Sequence, residues 1–87
     1  MAHAHTELED PNTKSIEIAR LWEKAYTELV EFEDGVLRQL RELMPKLSAT
    51  ARHEAELTNM PMIVQHLQTF KYRRQFWQQR RRELDGG

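Results

Sequence analysis

The residues best placed for chemistry lie near the carboxyl end of the chain, in the segment KYRRQFWQQRRR at 71–82. Between Glu56 and Glu83 every formally charged residue is basic. Guanidinium and ammonium groups bind phosphates, and aromatic rings between them stack on bases. The segment therefore supports a hypothesis of nucleic-acid or other anion contact. The six residues that would make it are Lys71, Arg73, Arg74, Arg80, Arg81 and Arg82.

The charge distribution of the whole chain supports a different interpretation of the same segment. Residues 1–34 carry a net charge of −6, whereas residues 57–87 carry +4. If the chain folds back near 46–48, the acidic beginning lies along the basic end, with Glu23 opposite position 71. This favours antiparallel pairing, although each exposed ion pair contributes only about 0–1 kcal/mol. We prefer this structural role to nucleic-acid binding, and an acidic protein partner is a third use of the segment.

The four histidines are the candidates for metal chemistry, but their spacing does not favour it. His53 and Glu56 are three residues apart on a predicted helix, whereas di-iron bundles need the order Glu-x-x-His with further glutamates on facing helices. His3 and His5 are able to chelate copper or nickel with the amino terminus, and we interpret them as solvated. We predict no metal site and no bound cofactor.

Enzyme signatures are missing from the sequence. With no cysteine there is no thiolate nucleophile, and with three glycines there is little from which to build a phosphate-binding loop. Ser48 near His53 is the remaining nucleophile–base pair, but Ser48 is better explained as a helix N-cap. We therefore predict no catalytic residues and no enzymatic activity. A small all-helical enzyme is the least favoured alternative, and a deep polar pocket would be its sign.

Two long helical arms are predicted to position these residues. The first begins after Thr13 or Ser15, runs over 14–44, continues through Gly35 and ends before Pro45. Its apolar residues recur every three or four positions, which indicates one stripe along a helix. The members of this stripe are Ile18, Trp22, Ala25, Leu29, Phe32, Val36, Leu40, Leu43 and Leu47.

The second arm begins at the predicted N-cap Ser48. Because proline is disfavoured inside a helix, we expect a break or kink at 58–61, followed by a helix to about Leu84. Arg74 and Arg81 fall on its apolar stripe, so we expect them to extend past the apolar seam or to meet acidic groups such as Glu17 or Glu23. The stripe consists of Leu57, Met60, Val64, Leu67, Phe70, Arg74, Trp77, Arg81 and Leu84.

The predicted fold is therefore all-α, an antiparallel helical hairpin whose second arm is kinked near Pro61. We assign 13–85 to this single domain, 1–12 to a disordered acidic tail that contains histidines, and 86–87 to a frayed end. The longest apolar run contains a proline and spans only 60–64, so we expect neither a membrane span nor a secretion signal. We therefore expect a cytoplasmic location.

A two-helix hairpin of this length offers little core, so we expect it to self-associate. A homodimer with coiled-coil spacing would form a four-helix bundle, and a monomeric three-helix bundle in which 49–58 folds back is the alternative. The predicted function is a non-enzymatic helical interaction or scaffold module. Its predicted core and interface residues are Trp22, Leu29, Phe32, Val36, Leu40, Val64, Leu67, Phe70 and Trp77.

Overall fold

A computed structural model describes residues 9–86 of the chain. Over this range the secondary structure is helical and contains no strand, which confirms the all-α class. Three α-helices, one 3₁₀ turn and one π-turn follow one another. They are α1 (Ile16–Leu43), the 3₁₀ turn (Met44–Lys46), α2 (Ala49–Glu54), the π-turn (Ala55–Asn59) and α3 (Met60–Gly86).

Local sequence signals explain the bounds of α1. The hydroxyl of Ser15 accepts a hydrogen bond from the backbone N–H of Ile18 at 3.3 Å and so caps the helix. The helix passes through Gly35 without interruption, as predicted. Met44 keeps α-helical backbone angles, and the helix changes to a 3₁₀ turn there because Pro45 has no N–H with which to continue the α-helical hydrogen bonds.

The second arm differs from the prediction near Pro61. Ser48 caps α2 as expected, its hydroxyl accepting from the N–H of Ala51 at 3.2 Å. The chain then does not break and restart at a new cap, but passes through the π-turn, in which the N–H of Met60 donates to the carbonyl of Ala55. Proline has no N–H to donate, and its ring crowds the carbonyl four residues earlier. A wider turn before Pro61 relieves that crowding without ending the helical path.

Helices α1 and α3 pack against each other as an antiparallel hairpin with two groups of buried residues. Near the open end of the hairpin, where the chain termini lie, the buried residues are Ala19, Tyr26 and Trp77. Towards the closed end they are Val30, Leu37 and Leu67. Phe70 packs against both groups and connects them.

The seam of the hairpin is not the predicted stripe of α1. Leu67 and Trp77 are buried, and Trp22, Val36, Leu40 and Phe70 are half-buried. The remaining three predicted residues, Leu29, Phe32 and Val64, are exposed and take no part in the core of the single chain, so their place in an interface between chains stays a prediction. The seam instead uses Tyr26, Val30 and Leu37, which the predicted stripe excluded.

The charged residues beside the seam explain which stripe of α1 faces α3. Glu23 and Glu33 flank the buried positions of α1, and across the seam they meet Arg81 and His66. Rotating α1 so that Phe32 entered the seam would separate these pairs and expose the Tyr26 ring. The chosen orientation therefore buries the ring of Tyr26 and places Glu23 and Glu33 beside Arg81 and His66 at the edge of the seam.

The register of the two arms also differs from the prediction. Trp22 stacks on Trp77 with ring centroids 6.5 Å apart, and Glu23 pairs with Arg81 rather than lying opposite position 71. Both contacts show that the chain turns back later than positions 46–48, so later residues of the second arm lie opposite a given position of α1.

The ends of the chain differ from the predicted tail and frayed end. Glu9 to Asn12, placed in the disordered tail, form a turn that contacts the hairpin, and α3 extends to Gly86. His3 and His5 lie outside the described residues. No helix within 9–86 combines the length and the apolar character that crossing a membrane requires.

Candidate functional site

A carboxylate held between the two arms is the most elaborate polar arrangement in the described part of the chain. Oε1 of Glu9 accepts a hydrogen bond from the hydroxyl of Tyr26, and Oε2 accepts one from the indole N–H of Trp77 at 2.9 Å. Nη1 of Arg73 lies 3.6 Å from Oε1. We refer to Tyr26, Arg73 and Trp77 as the carboxylate site, which in this structure Glu9 fills.

Both long helices contribute to the carboxylate site. Arg73 and Trp77 are four residues apart on α3 and so share one face of that helix, while Tyr26 projects from α1. Arg73 donates from Nη1 to the Tyr26 hydroxyl at 2.9 Å, and its guanidinium carbon lies 5.8 Å from the centroid of the same ring. Tyr26 and Trp77 are 4% and 1% exposed, so packing fixes the directions of their polar groups.

The protonation states in the carboxylate site suit the binding of an anion. Burial, together with the hydrogen bond to Glu9, raises the pKa of the Tyr26 hydroxyl, and Arg73 opposes this effect. The hydrogen bond to Tyr26 raises the pKa of Arg73, although partial burial opposes it. At neutral pH the phenol is therefore a neutral donor and the guanidinium keeps its charge.

The segment that delivers Glu9 has a second anchor on α3. Nε and Nη2 of Arg80 donate to the backbone carbonyl of Thr13 at 3.1 and 2.7 Å. Between these anchors Asp10 forms a turn, its side chain accepting from the N–H of Asn12 at 2.9 Å and its carbonyl accepting from the N–H of Thr13 at 3.2 Å. We refer to residues 9–15 as the strap.

The structure divides the six predicted basic residues into two groups. Arg73 and Arg80 hold the strap, while Arg81 pairs through two of its nitrogens with the carboxylate of Glu23, as expected for a stripe arginine. This hydrogen bond also raises the pKa of Arg81. The other three are placed differently, with Lys71 and Arg82 exposed and Arg74 half-buried. The predicted anion-binding segment is therefore not one free basic surface.

Other polar groups within 9–86 form isolated pairs or shallow grooves. Arg20 lies 3.7 Å from Asp85, and Nδ1 of His66 lies 3.5 Å from Glu33. His53, the other histidine of this range, is exposed. In this part of the chain no three acidic or histidine side chains come together as metal ligands. A groove of about 380 Å³ on α1 is lined by Arg20, Glu23, Lys24, Thr27, Glu28 and Glu31.

Helix α1 also carries a second apolar surface, which lies about a third of a turn around the helix from the seam. Phe32 is 66% exposed and Leu21 is 58% exposed, and the surface extends for about 37 Å along the helix. Large apolar side chains in a continuous exposed row mark an interaction surface more often than isolated ones do. We name this row the outer apolar face and define it as Ile18, Leu21, Leu29, Phe32 and Leu43.

The carboxylate site could not be recognised from the sequence, because its members belong to no shared pattern. Glu9 precedes the helical periodicity, and Tyr26 lies beside the predicted stripe rather than on it. The one available signal was chemical. A tyrosine, an arginine and a tryptophan whose polar groups must be satisfied when buried require a partner such as an acidic side chain.

The fold and site together define an all-α helical hairpin whose arms hold a carboxylate between them. No protein-family model, no curated protein and no solved structure matches this chain.

Proposed function

We propose that this protein is a non-enzymatic interaction module that self-associates through its outer apolar face, with two copies forming a four-helix bundle. The observation that carries the proposal is a row of exposed large apolar side chains on a hairpin one helix layer thick. A second copy is the proposed occupant of this face.

The thickness of the hairpin explains why a second layer would stabilise it. The shortest dimension of the molecule is 13 Å, and since packed helix axes lie about 8–10 Å apart, this leaves room for one layer of helices. Stable domains bury their cores between two or more layers. A second hairpin laid against α1 would supply the missing layer and cover apolar side chains that a single chain leaves in water.

The composition of the outer apolar face suits a symmetric contact. Its members are distributed about a midpoint between Leu29 and Phe32, so a two-fold axis there would pair the face with itself in the antiparallel sense. Leu29 and Phe32 would then lie near the axis, and Ile18 of one copy would lie near Leu43 of the other. Lys24 and Glu31, on the charged side of α1, would stay in water.

Sedimentation equilibrium at micromolar concentration tests the proposal. We expect the wild-type chain to be a dimer, and Phe32→Glu to weaken the dimer roughly 100-fold or more, since two rings lose about 1.5–3 kcal/mol of burial each. Lys24→Gln changes the charge by the same amount on the charged side of α1 and serves as the matched control.

Two results would contradict self-association through this face. One is a wild-type chain that stays monomeric while folded, as judged by circular dichroism. The other is a dimer that Phe32→Glu and Lys24→Gln affect equally. If Phe32→Glu loses helix content, the milder Leu29→Ser replaces it in the same comparison.

Nucleic-acid binding by the segment 71–82 is the alternative, and the geometry favours it less. Arg73, Arg80 and Arg81 already have partners within the chain. Titration with duplex DNA and with single-stranded RNA at two salt concentrations tests it, because phosphate contacts weaken steeply as salt rises. Absence of affinity at low salt would exclude this alternative.

A further inference from the structure

Two hydrogen-bond donors and a guanidinium, contributed by two helices, converge on a carboxylate that belongs to neither helix. Tyr26 on α1 and Arg73 and Trp77 on α3 direct a hydroxyl, a guanidinium and an indole N–H to one place. The group that satisfies them, the side chain of Glu9, comes from the strap. The receptor and its occupant are thus separate parts of the chain.

We propose that the carboxylate site is a receptor for the glutamate side chain of an acidic peptide from a partner protein, and that the strap is an internal competitor for it. Chemical complementarity identifies the partner, because the site already binds one glutamate in an acidic segment of this chain. The proposal concerns the open end of the hairpin and does not depend on self-association through the outer apolar face.

The site is built so that it persists when the strap leaves. Trp77 is positioned by packing against Trp22 and Phe76, with ring centroids 6.5 and 5.1 Å apart, and Tyr26 is positioned by Trp22 and Phe70. None of these contacts involves the strap. Loss of the strap would leave the buried donors of Tyr26 and Trp77 without their acceptor and Arg73 without its carboxylate counter-ion, a costly state that another carboxylate would relieve.

The strap is the part of the described chain best suited to detach. It has no regular helix, and its middle residues Asp10, Pro11 and Asn12 are exposed. Apart from the cap that Ser15 forms on α1, its links to the rest of the molecule are the Glu9 side chain and the contact of Arg80 with the Thr13 carbonyl. Segments with few buried contacts open locally at a lower free-energy cost than packed helices do.

The second anchor defines the ligand further. Arg80 donates hydrogen bonds to a backbone carbonyl four residues beyond the glutamate. A ligand that made both contacts would therefore need a carboxylate and a peptide carbonyl at a fixed separation. A free anion would supply the first feature and lack the second. Both oxygens of the carboxylate accept hydrogen bonds. The side chain of aspartate is shorter and would have to reach the same two donors, so the site favours glutamate.

Fluorescence anisotropy with a labelled synthetic peptide tests the proposal. The probe is residues 9–15 of this chain, EDPNTKS, with blocked ends, and the receptor is the full chain carrying Glu9→Ala, which removes the internal competitor. We expect saturable binding to this variant and binding at least tenfold weaker to the wild type, whose site is filled. Glu31→Ala removes an exposed acidic residue on α1 and should bind like the wild type.

Two further comparisons locate the binding. Adding Arg73→Gln to Glu9→Ala should abolish it, and a probe peptide with glutamine in place of its glutamate should bind at least tenfold more weakly. The proposal is overturned if Glu9→Ala shows no saturable binding, if it binds no better than the wild type, or if the two peptides bind equally. If Glu9→Ala loses helix content, the wild-type chain is used as the receptor at higher peptide concentration. Equal binding of the glutamate and glutamine peptides to the wild type would then overturn the proposal.

Discussion

The indole N–H of Trp77 donates to the carboxylate of Glu9 across 2.9 Å and so joins two residues that are 68 positions apart in the chain. The other oxygen of the same carboxylate accepts from Tyr26. One acidic side chain therefore links the strap, α1 and α3. This linkage makes the open end of the hairpin sensitive to changes at Glu9.

Replacing Glu9 with alanine should destabilise the folded chain. The buried donors of Tyr26 and Trp77 lose their acceptor, which costs about 1–3 kcal/mol. Urea denaturation followed by circular dichroism measures the loss. Glu31→Ala removes an acidic residue that is exposed on α1, and it should change stability by less than about 0.5 kcal/mol. Equal losses in the two variants would show that the Glu9 contacts contribute nothing specific.

Tyr26 should titrate at a higher pH than an ordinary tyrosine. Burial and the hydrogen bond to Glu9 raise its pKa above the usual value of about 10. The folded state then holds the phenol proton more tightly than the unfolded chain does, so this contribution to stability is complete below about pH 10 and is lost as the pH rises further.

Tyrosinate absorbance in the Tyr72→Phe variant measures this effect, because Tyr26 is then the only tyrosine in the chain. The midpoint should lie above 10 and should fall when Glu9→Ala is added, since that change removes both the hydrogen bond and the cover of the strap. A midpoint at or below 10 in Tyr72→Phe alone would contradict the burial of the hydroxyl.

Gly35→Ala should stabilise α1. Gly35 lies inside the helix, and a Cβ added there meets no atom within 4 Å. Alanine lowers the conformational entropy of the unfolded chain, so the gain should be about 0.5–1 kcal/mol. Gly86→Ala is the control, because its Cβ is equally free but its position ends α3. We expect Gly86→Ala to stabilise the chain less than Gly35→Ala does. A loss of stability in Gly35→Ala would contradict the prediction and indicate that the backbone at Gly35 requires glycine.

Leu67→Ala and Phe32→Ala should separate the seam from the outer apolar face. Leu67 is buried in the seam, so its truncation should cost about 2–5 kcal/mol at any protein concentration. Phe32 is exposed in the single chain, so its truncation should reduce only the part of the stability that rises with concentration. Denaturation at two concentrations tenfold apart distinguishes the two, and a concentration-independent loss in Phe32→Ala would place that ring in the core of a single chain.

Local features of the fold could be predicted because they depend on residues within one helical turn. Ser15 and Ser48 cap α1 and α2 as their positions indicated, and α1 ends before Pro45. The same local rules did not predict the backbone geometry before Pro61. A proline requires relief of crowding but does not specify how, and the chain uses a π-turn rather than a break followed by a new helix cap.

The seam was harder to predict because α1 has two apolar stripes side by side. Phe32 and Leu29 fit a helical period as well as Tyr26 and Val30 do, so periodicity does not say which stripe α3 covers. The decision comes from residues that lie far apart in the sequence. Glu23 must meet Arg81, and the Tyr26 hydroxyl needs the partners that Glu9 and Arg73 supply.

The sequence by itself determined a helical hairpin with an acidic first arm and a basic second arm, because helix formation and net charge follow from neighbouring residues and composition. It also determined that a stripe arginine such as Arg81 must find a carboxylate. Only the tertiary structure decided the rotation of α1, the register of the arms and the capture of Glu9. Each of these depends on which side chains meet across the seam, and such encounters leave no local period in the chain.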